Sequence, residues 1–218
     1  MRTRIENVKP KDIETKSFEI ITEELNGRTF ENNTELIVKR CIHTSADFDY
    51  ADNLCFSENV VEKAMEAIRG GASIVTDTNM AKAGINKVSL GNYGGQVYCF
   101  MGDEDVAAAA KESGMTRASE SMKKAAAMGE RFIYAIGNAP TALVTLYDLM
   151  EEGKVDPLLI IGAPVGFVNV VQSKELIIDS GREYIAAVGR KGGSNVAAAI
   201  VNALLYTAAG WLDPDNRG

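Results

Sequence analysis

The stretch Phe132-Ile133-Tyr134-Ala135-Ile136-Gly137-Asn138-Ala139-Pro140-Thr141-Ala142-Leu143 decides the fold. Its first half is a continuous apolar run, which suits a strand buried on both faces. Gly137 and Asn138 break that run. Beyond them Ala142, Leu143, Leu146, Leu149 and Met150 recur at helical spacing, and Gly153 gives a stop signal. Asn138 is the expected N-cap of this helix, and Pro140 falls in its first turn. A buried strand feeding a helix across a glycine turn is the building unit of α/β proteins.

The pattern repeats outward from that stretch. Residues 73–76, 97–100, 158–161 and 184–188 read as further buried strands. Residues 58–69 place Val60, Val61, Ala64, Met65 and Ile68 on one helical face and end at Gly70. Residues 195–209 are apolar and alanine-rich nearly all round, as in a helix buried on several sides. The expectation is a three-layer αβα fold: a mainly parallel sheet with helices on both faces, in a single domain over residues 1–218. Residues 1–36 differ, being charged and short of strand signals, with one helical stretch around residues 16–25. They read as an N-terminal arm packed on the body and reaching toward a second subunit.

Composition narrows the function classes. Lys and Arg number 23 against 30 Asp and Glu, a formal net charge of -7, which argues against nucleic acid as partner. No apolar run approaches the ~20 residues of a membrane span, and Met1-Arg2-Thr3-Arg4-Ile5-Glu6 lacks a signal-peptide core. A cytoplasmic protein without membrane contact is expected. Cys41, Cys55 and Cys99 are widely spaced, and one histidine cannot complete a Cys/His zinc set, so no metal site is expected. Cys41 fits the core better than a nucleophile's position.

That one histidine, His43, stands in Arg40-Cys41-Ile42-His43-Thr44-Ser45-Ala46-Asp47. Imidazole alone among side chains ordinarily titrates near neutrality, so proton chemistry at neutral pH points first to His43. A core or surface histidine is the bland alternative. Asp47 and Asp49 either orient its ring or cap a local turn.

Three glycine loops follow expected strands: Ile136-Gly137-Asn138-Ala139-Pro140-Thr141, Ile161-Gly162-Ala163-Pro164-Val165-Gly166-Phe167 and Gly189-Arg190-Lys191-Gly192-Gly193-Ser194. Each alone could be a tight turn. Three at the carboxyl edge of one sheet favour a shared ligand cleft. Arg190 and Lys191 then suit an anionic ligand as well as they suit a solvated surface. Nucleotide fingerprints are missing, with no Gly-x-Gly-x-x-Gly after a first strand and no Gly-x-x-x-x-Gly-Lys-Ser/Thr. There is no Gly-x-Ser-x-Gly elbow for a serine hydrolase either.

In sum the chain resembles the precorrin-8X methylmutases of cobalamin biosynthesis. The resemblance rests on Arg40-x-Ile42-His43, Thr76-Asp77-x-x-Met80-x-x-x-Gly84-Ile85, Thr116-Arg117 and Ile136-Gly137-Asn138-Ala139-Pro140-Thr141-Ala142-Leu143. It continues through Gly162-x-Pro164-Val165-Gly166-Phe167-Val168, Ser173-Lys174-Glu175 and the Gly189–Ser194 loop, with Pro10-x-x-Ile13-Glu14-x-x-Ser17-Phe18 similar to the family's arm. Gln172 departs from an expected glutamate, and Ala46 stands where many members have glycine.

The resemblance implies an isomerase that moves a methyl group between neighbouring carbons of ring C, a formal [1,5]-sigmatropic shift on a corrin-like tetrapyrrole. It implies His43 as general acid, a task worth ~10²–10⁴-fold in rate. It implies no cofactor, any cobalt arriving inside the substrate, and a homodimer with the cleft near the subunit interface. Candidate substrate-binding residues are Ser17, Arg40, Thr76, Arg117, Gly137, Asn138, Gly162, Gly166, Arg190 and Lys191. The arginines and lysine suit a cationic rim for acetate and propionate arms. A non-catalytic tetrapyrrole carrier, or a nucleotide-dependent oxidoreductase on the same scaffold, are the alternatives.

Overall fold

A computed structural model describes residues 7–211. A 3-10 turn at Pro10–Asp12 leads into α1 (Ile13–Glu24), α2 (Glu35–Ser45), α3 (Tyr50–Asn53), β1 (Leu54–Phe56), α4 (Val60–Arg69) and β2 (Ile74–Thr76). Then come α5 (Asn79–Gly84), α6 (Lys87–Gly91), β3 (Val97–Tyr98), α7 (Glu104–Ser113), α8 (Arg117–Ala127) and β4 (Ile133–Ile136). The chain closes with α9 (Pro140–Glu151), β5 (Leu159–Gly162), α10 (Val170–Ile178), β6 (Tyr184–Ala187) and α11 (Ser194–Ala208).

The strands form one sheet in the order β1-β6-β5-β4-β2-β3. Every pairing is parallel except β1 with β6, where Cys55 opposes Ala186. The central strands alternate as period-two geometry demands. Ile133 and Ala135 of β4, Leu159 and Ile161 of β5, and Ile185 and Ala187 of β6 join a core with α2, α4 and α11. Phe132, Tyr134, Ile136 and Ile160 face the opposite core, built with α8, α9 and α10. The expected three-layer architecture is therefore present, with one cluster on each side of the sheet.

Three local details differ from the sequence reading. The arm's helix starts at Ile13, where Asp12 and Glu14 place acidic side chains near its N-terminus. α2 already begins at Glu35, inside the expected arm boundary at 36; residues 1–6 of that arm lie outside the described residues. The N-cap position of α9 is Ala139, not Asn138, and it makes no side-chain cap bond. A carboxylate from elsewhere secures that turn, as shown below. Among the described residues no helix is long and apolar enough to cross a membrane.

Candidate functional site

Because β2, β4, β5 and β6 run parallel, the loops that follow them emerge at one edge of the sheet. These loops touch through backbone atoms. A Cβ on Gly137 would lie 2.6 Å from the Ser194 Cα, and one on Gly192 would lie 2.2 Å from the Ala163 carbonyl oxygen. The Gly193 N–H donates to that same carbonyl at 2.8 Å, and the Gly166 N–H donates to the Arg190 carbonyl at 3.2 Å. Gly189 takes a left-handed φ of +82°, which an L side chain would strain. Gly162 is neither crowded nor left-handed.

The strand order reverses at β2, so the crevice between the ends of β2 and β4 is where doubly wound sheets commonly hold ligands. Here Asp77 fills it. Its carboxylate accepts N–H bonds from Gly137 at 2.9 Å, Asn138 at 2.8 Å and Ala139 at 2.6 Å. Burial raises its pKa above the usual carboxylate value, against the downward pull of those three amides. The backbone donors expected of the Gly137-Asn138 loop are thus already engaged. Thr76 is also turned inward, its hydroxyl bonding the carbonyls of Thr78 and Tyr98.

His43 stands in the last turn of α2, exposed, beside this edge. Its ring lies against Phe18 of α1, with centroids 5.5 Å apart. It forms a ridge between two hollows. One, of about 270 Å³, is lined by Ser17, Ile20, Ile21, Ala46, Phe48 and His43 itself. The other, of about 210 Å³, runs past Arg40, Thr44, Asn195 and Asn202. A hollow of about 710 Å³ lies elsewhere, between α8 and α9, where Lys123, Asp148, Glu152 and Lys154 mix both charges. It lies away from the strand edge and holds no histidine, so His43 marks the candidate site.

The candidate cations are differently occupied. Arg40 is buried, pairs with Glu14 at 2.8 Å, and sits over the rings of Phe18 at 5.1 Å and Tyr206 at 4.8 Å, yet its Nε has no hydrogen-bond partner. It clamps α1 onto α2 and α11 while lining the second hollow. Lys191 binds Asp47 and Asp49, each at 2.6 Å. Those carboxylates, read as possible partners of the His43 ring, instead tie the end of α2 to the loop after β6. The Lys191 ammonium bonded to Asp47 holds its carboxyl below the usual range, and both carboxylates push Lys191 up.

Arg190 lies over the exposed ring of Phe167 at 5.6 Å. Arg117 opens α8, in the opposite helical layer, where Thr116 bonds Thr141 at 2.8 Å. The structure therefore brings Ser17, Arg40 and His43 together and ties Lys191 beside them. Thr76, Arg117, Gly137, Asn138, Gly162, Gly166, Arg190 and Lys191 line neither hollow.

Cys41 lies in the core, and burial pushes its thiol far up, as expected of an inert cysteine. Sequence reasoning gave no role to Lys174, whose Nζ donates at 2.8 Å to the carbonyls of Gly189 and Lys191. Its signal was available: with Val170, Ser173 and Ile177, a lysine at position 174 falls on the buried face of α10.

Comparison with known proteins gives concordant matches. A family model described as precorrin-8X methylmutase matches residues 12–207. A cobalt-precorrin-8 methylmutase of Priestia megaterium is 43% identical over 201 residues, spanning 92% of this chain and 89% of that protein. One of Salmonella typhimurium is 44% identical over 203 residues, spanning 90% and 95%. A crystal structure of the precorrin-8X methylmutase of Thermus thermophilus superposes with a TM-score of 0.84 at 34% identity, covering 91% of this chain and 98% of that one.

Proposed function

The chain belongs to the precorrin-8X methylmutase family, and on that premise we propose that His43 is its general acid and that its substrate is the cobalt-loaded form, cobalt-precorrin-8. The family's activity is an isomerisation in cobalamin biosynthesis, in which a methyl group shifts within a single tetrapyrrole. The two relatives cited at 43% and 44% identity carry the cobalt-precorrin-8 name, which supports the metal-loaded substrate.

One observation carries the assignment of the acid. His43 is an exposed imidazole on a ridge between two hollows, at the carboxyl edge of a parallel sheet. A proton held there reaches the conjugated ring near the migrating centre, draws electron density from it, and lowers the barrier to the shift. The proton returns to the imidazole as conjugation is re-established, so atoms and charge balance over the cycle. Positioning of the macrocycle supplies the remaining acceleration. The migrating group never leaves the molecule, so the reaction calls for no external donor or resident cofactor, and cobalt travels as part of the substrate.

The substrate's acetate and propionate arms call for cationic and N–H partners. Arg40, which lines the second hollow, and the Arg190 guanidinium over the exposed Phe167 ring are the cations offered for them. Each hollow beside His43 is small for a whole macrocycle, and Phe167 and Val168 are 83% and 78% exposed near the same edge. Both points support a homodimer in which a second copy roofs the substrate, and sedimentation of the pure protein tests it.

The test of the acid uses purified protein with cobalt-precorrin-8 and with its metal-free counterpart, following the absorbance change as conjugation alters. His43→Ala is expected to abolish turnover while still binding the macrocycle. Full turnover by that variant overturns the assignment of the acid, and binding without turnover in the wild type favours a carrier.

A further inference from the structure

Lys174 is a buried ammonium with no carboxylate partner among the described residues. It is 1% exposed, and both of its hydrogen bonds go to backbone carbonyls, those of Gly189 and Lys191. Removal from water pushes its pKa down to about 8. A buried charge of this kind costs stability unless its protons are well placed. The fold keeps it, and what it holds is one loop.

That loop follows β6. Its peptide bonds are trans, so turning the Gly189 and Lys191 carbonyls toward Nζ turns the N–H groups of Arg190 and Gly192 the opposite way. Neither N–H donates to another described residue. Two N–H groups directed away from Nζ, with a positive charge behind them, are suited to receive an anion. The loop is also tied sideways to the helix that carries His43. Lys191 Nζ grips Asp47 and Asp49, and Asn195 Nδ2 donates to the Thr44 carbonyl at 3.4 Å. Ala46 and Phe48, on either side of Asp47, wall the first hollow.

We propose that Lys174 is a positioning residue for the methyl shift: it draws the carbonyls of the 189–191 loop inward, so that the Arg190 and Gly192 N–H groups seat a carboxylate arm of the substrate. The same inward pull keeps the Lys191 ammonium within reach of Asp47 and Asp49. Lys174 itself touches no substrate. This rests on the reaction assigned above.

Lys174→Met keeps the length and apolar stem of the side chain and removes the ammonium, leaving the Gly189 and Lys191 carbonyls without their donor. With cobalt-precorrin-8 as the probe, this variant is expected to raise KM about 10- to 100-fold, the worth of a hydrogen bond to a charged group, with a smaller fall in kcat. Lys191→Met is expected to weaken binding in the same direction. The double variant is expected to lose less than the product of the two, because both act through one loop.

Wild-type KM in K174M, or losses that multiply independently, would overturn the inference. Should K174M not fold, hydrogen exchange in the wild-type protein replaces it. The Arg190 and Gly192 amides are expected to become protected when product binds, and unchanged exchange there overturns the proposal. A wild-type protein that turns over neither substrate instead defeats the assigned reaction, whereas turnover with an unaltered K174M defeats only the role of Lys174.

Discussion

The imidazole of His43 and the ring of Phe18 face each other across the α1–α2 joint, centroids 5.5 Å apart and planes tilted by 49°. The proposed acid thus leans on a helix of the N-terminal arm, and the same ring lies under the Arg40 guanidinium.

Phe18→Ala removes that shared support. The variant is expected to lose about 3 kcal/mol of stability, as for other large-to-small changes at buried rings, measured by urea denaturation. Turnover is expected to fall about tenfold or more through misplacement of the acid. A stable variant with wild-type kcat/KM would separate the arm from catalysis.

Ala46 closes α2 in a left-handed conformation, φ +52°, its N–H bonding the Ile42 carbonyl at 2.7 Å. That explains the glycine expected at this position: an L side chain pays about 1 kcal/mol for such a backbone. Ala46→Gly is therefore expected to raise the unfolding free energy by about 1 kcal/mol, read as a higher denaturation midpoint at unchanged m, with little change in the His43 hollow beyond the loss of one methyl group.

The loop contacts make a steric prediction at Gly192. A methyl group there would meet the carbonyl oxygens of Ala163 and Pro164 at 2.2 and 2.7 Å, and these are backbone atoms that cannot swing aside. Gly192→Ala is expected to separate the loops after β5 and β6, with a loss of about 2 kcal/mol and of most activity. Denaturation and steady-state assay on the same preparation check both. The wild-type value in either would mean that the loops yield more readily than packed backbone should.

Asp47 supplies a pH test. Its carboxyl is held below the usual value by the Lys191 ammonium, so its folded-state pKa is depressed. The stabilising contribution is then complete above the unfolded value of about 3.9 and is lost as the pH falls through the lower folded value. Carbon-detected NMR titration of Asp47 is expected to give a midpoint below the ordinary aspartate range. Lys191→Met is expected to return it upward. A midpoint indifferent to Lys191 would show that the ion pair does not persist in solution.

Much of the layered architecture could be read from apolar runs and helical spacing, because buried parallel strands and amphipathic helices carry their burial in local sequence. β1 could not be: Leu54–Phe56 is too short to show a period, and its antiparallel pairing with β6 joins segments far apart in the chain. His43 was legible by residue type alone. Its surroundings were not, because Lys191 meets Asp47 and Asp49 only through the fold, and Asp77 reaches the Gly137 loop in the same long-range way. Asn138 had the composition of a helix cap, yet a carboxylate just beyond the neighbouring strand secured the turn instead.

The edge beside the proposed site is a frame of backbone pressed on backbone, Gly137 against Gly193 and Ser194, and Gly192 against Ala163 and Pro164. Heredity meets such a frame as a locked unit, since a lone codon change at either glycine forces two loops apart at once. Side chains standing outside it, such as Asn138, Phe167 and Val168, answer to no such constraint. A change among those side chains leaves the frame beneath them standing, so the surface at this edge can be altered without the scaffold that presents it.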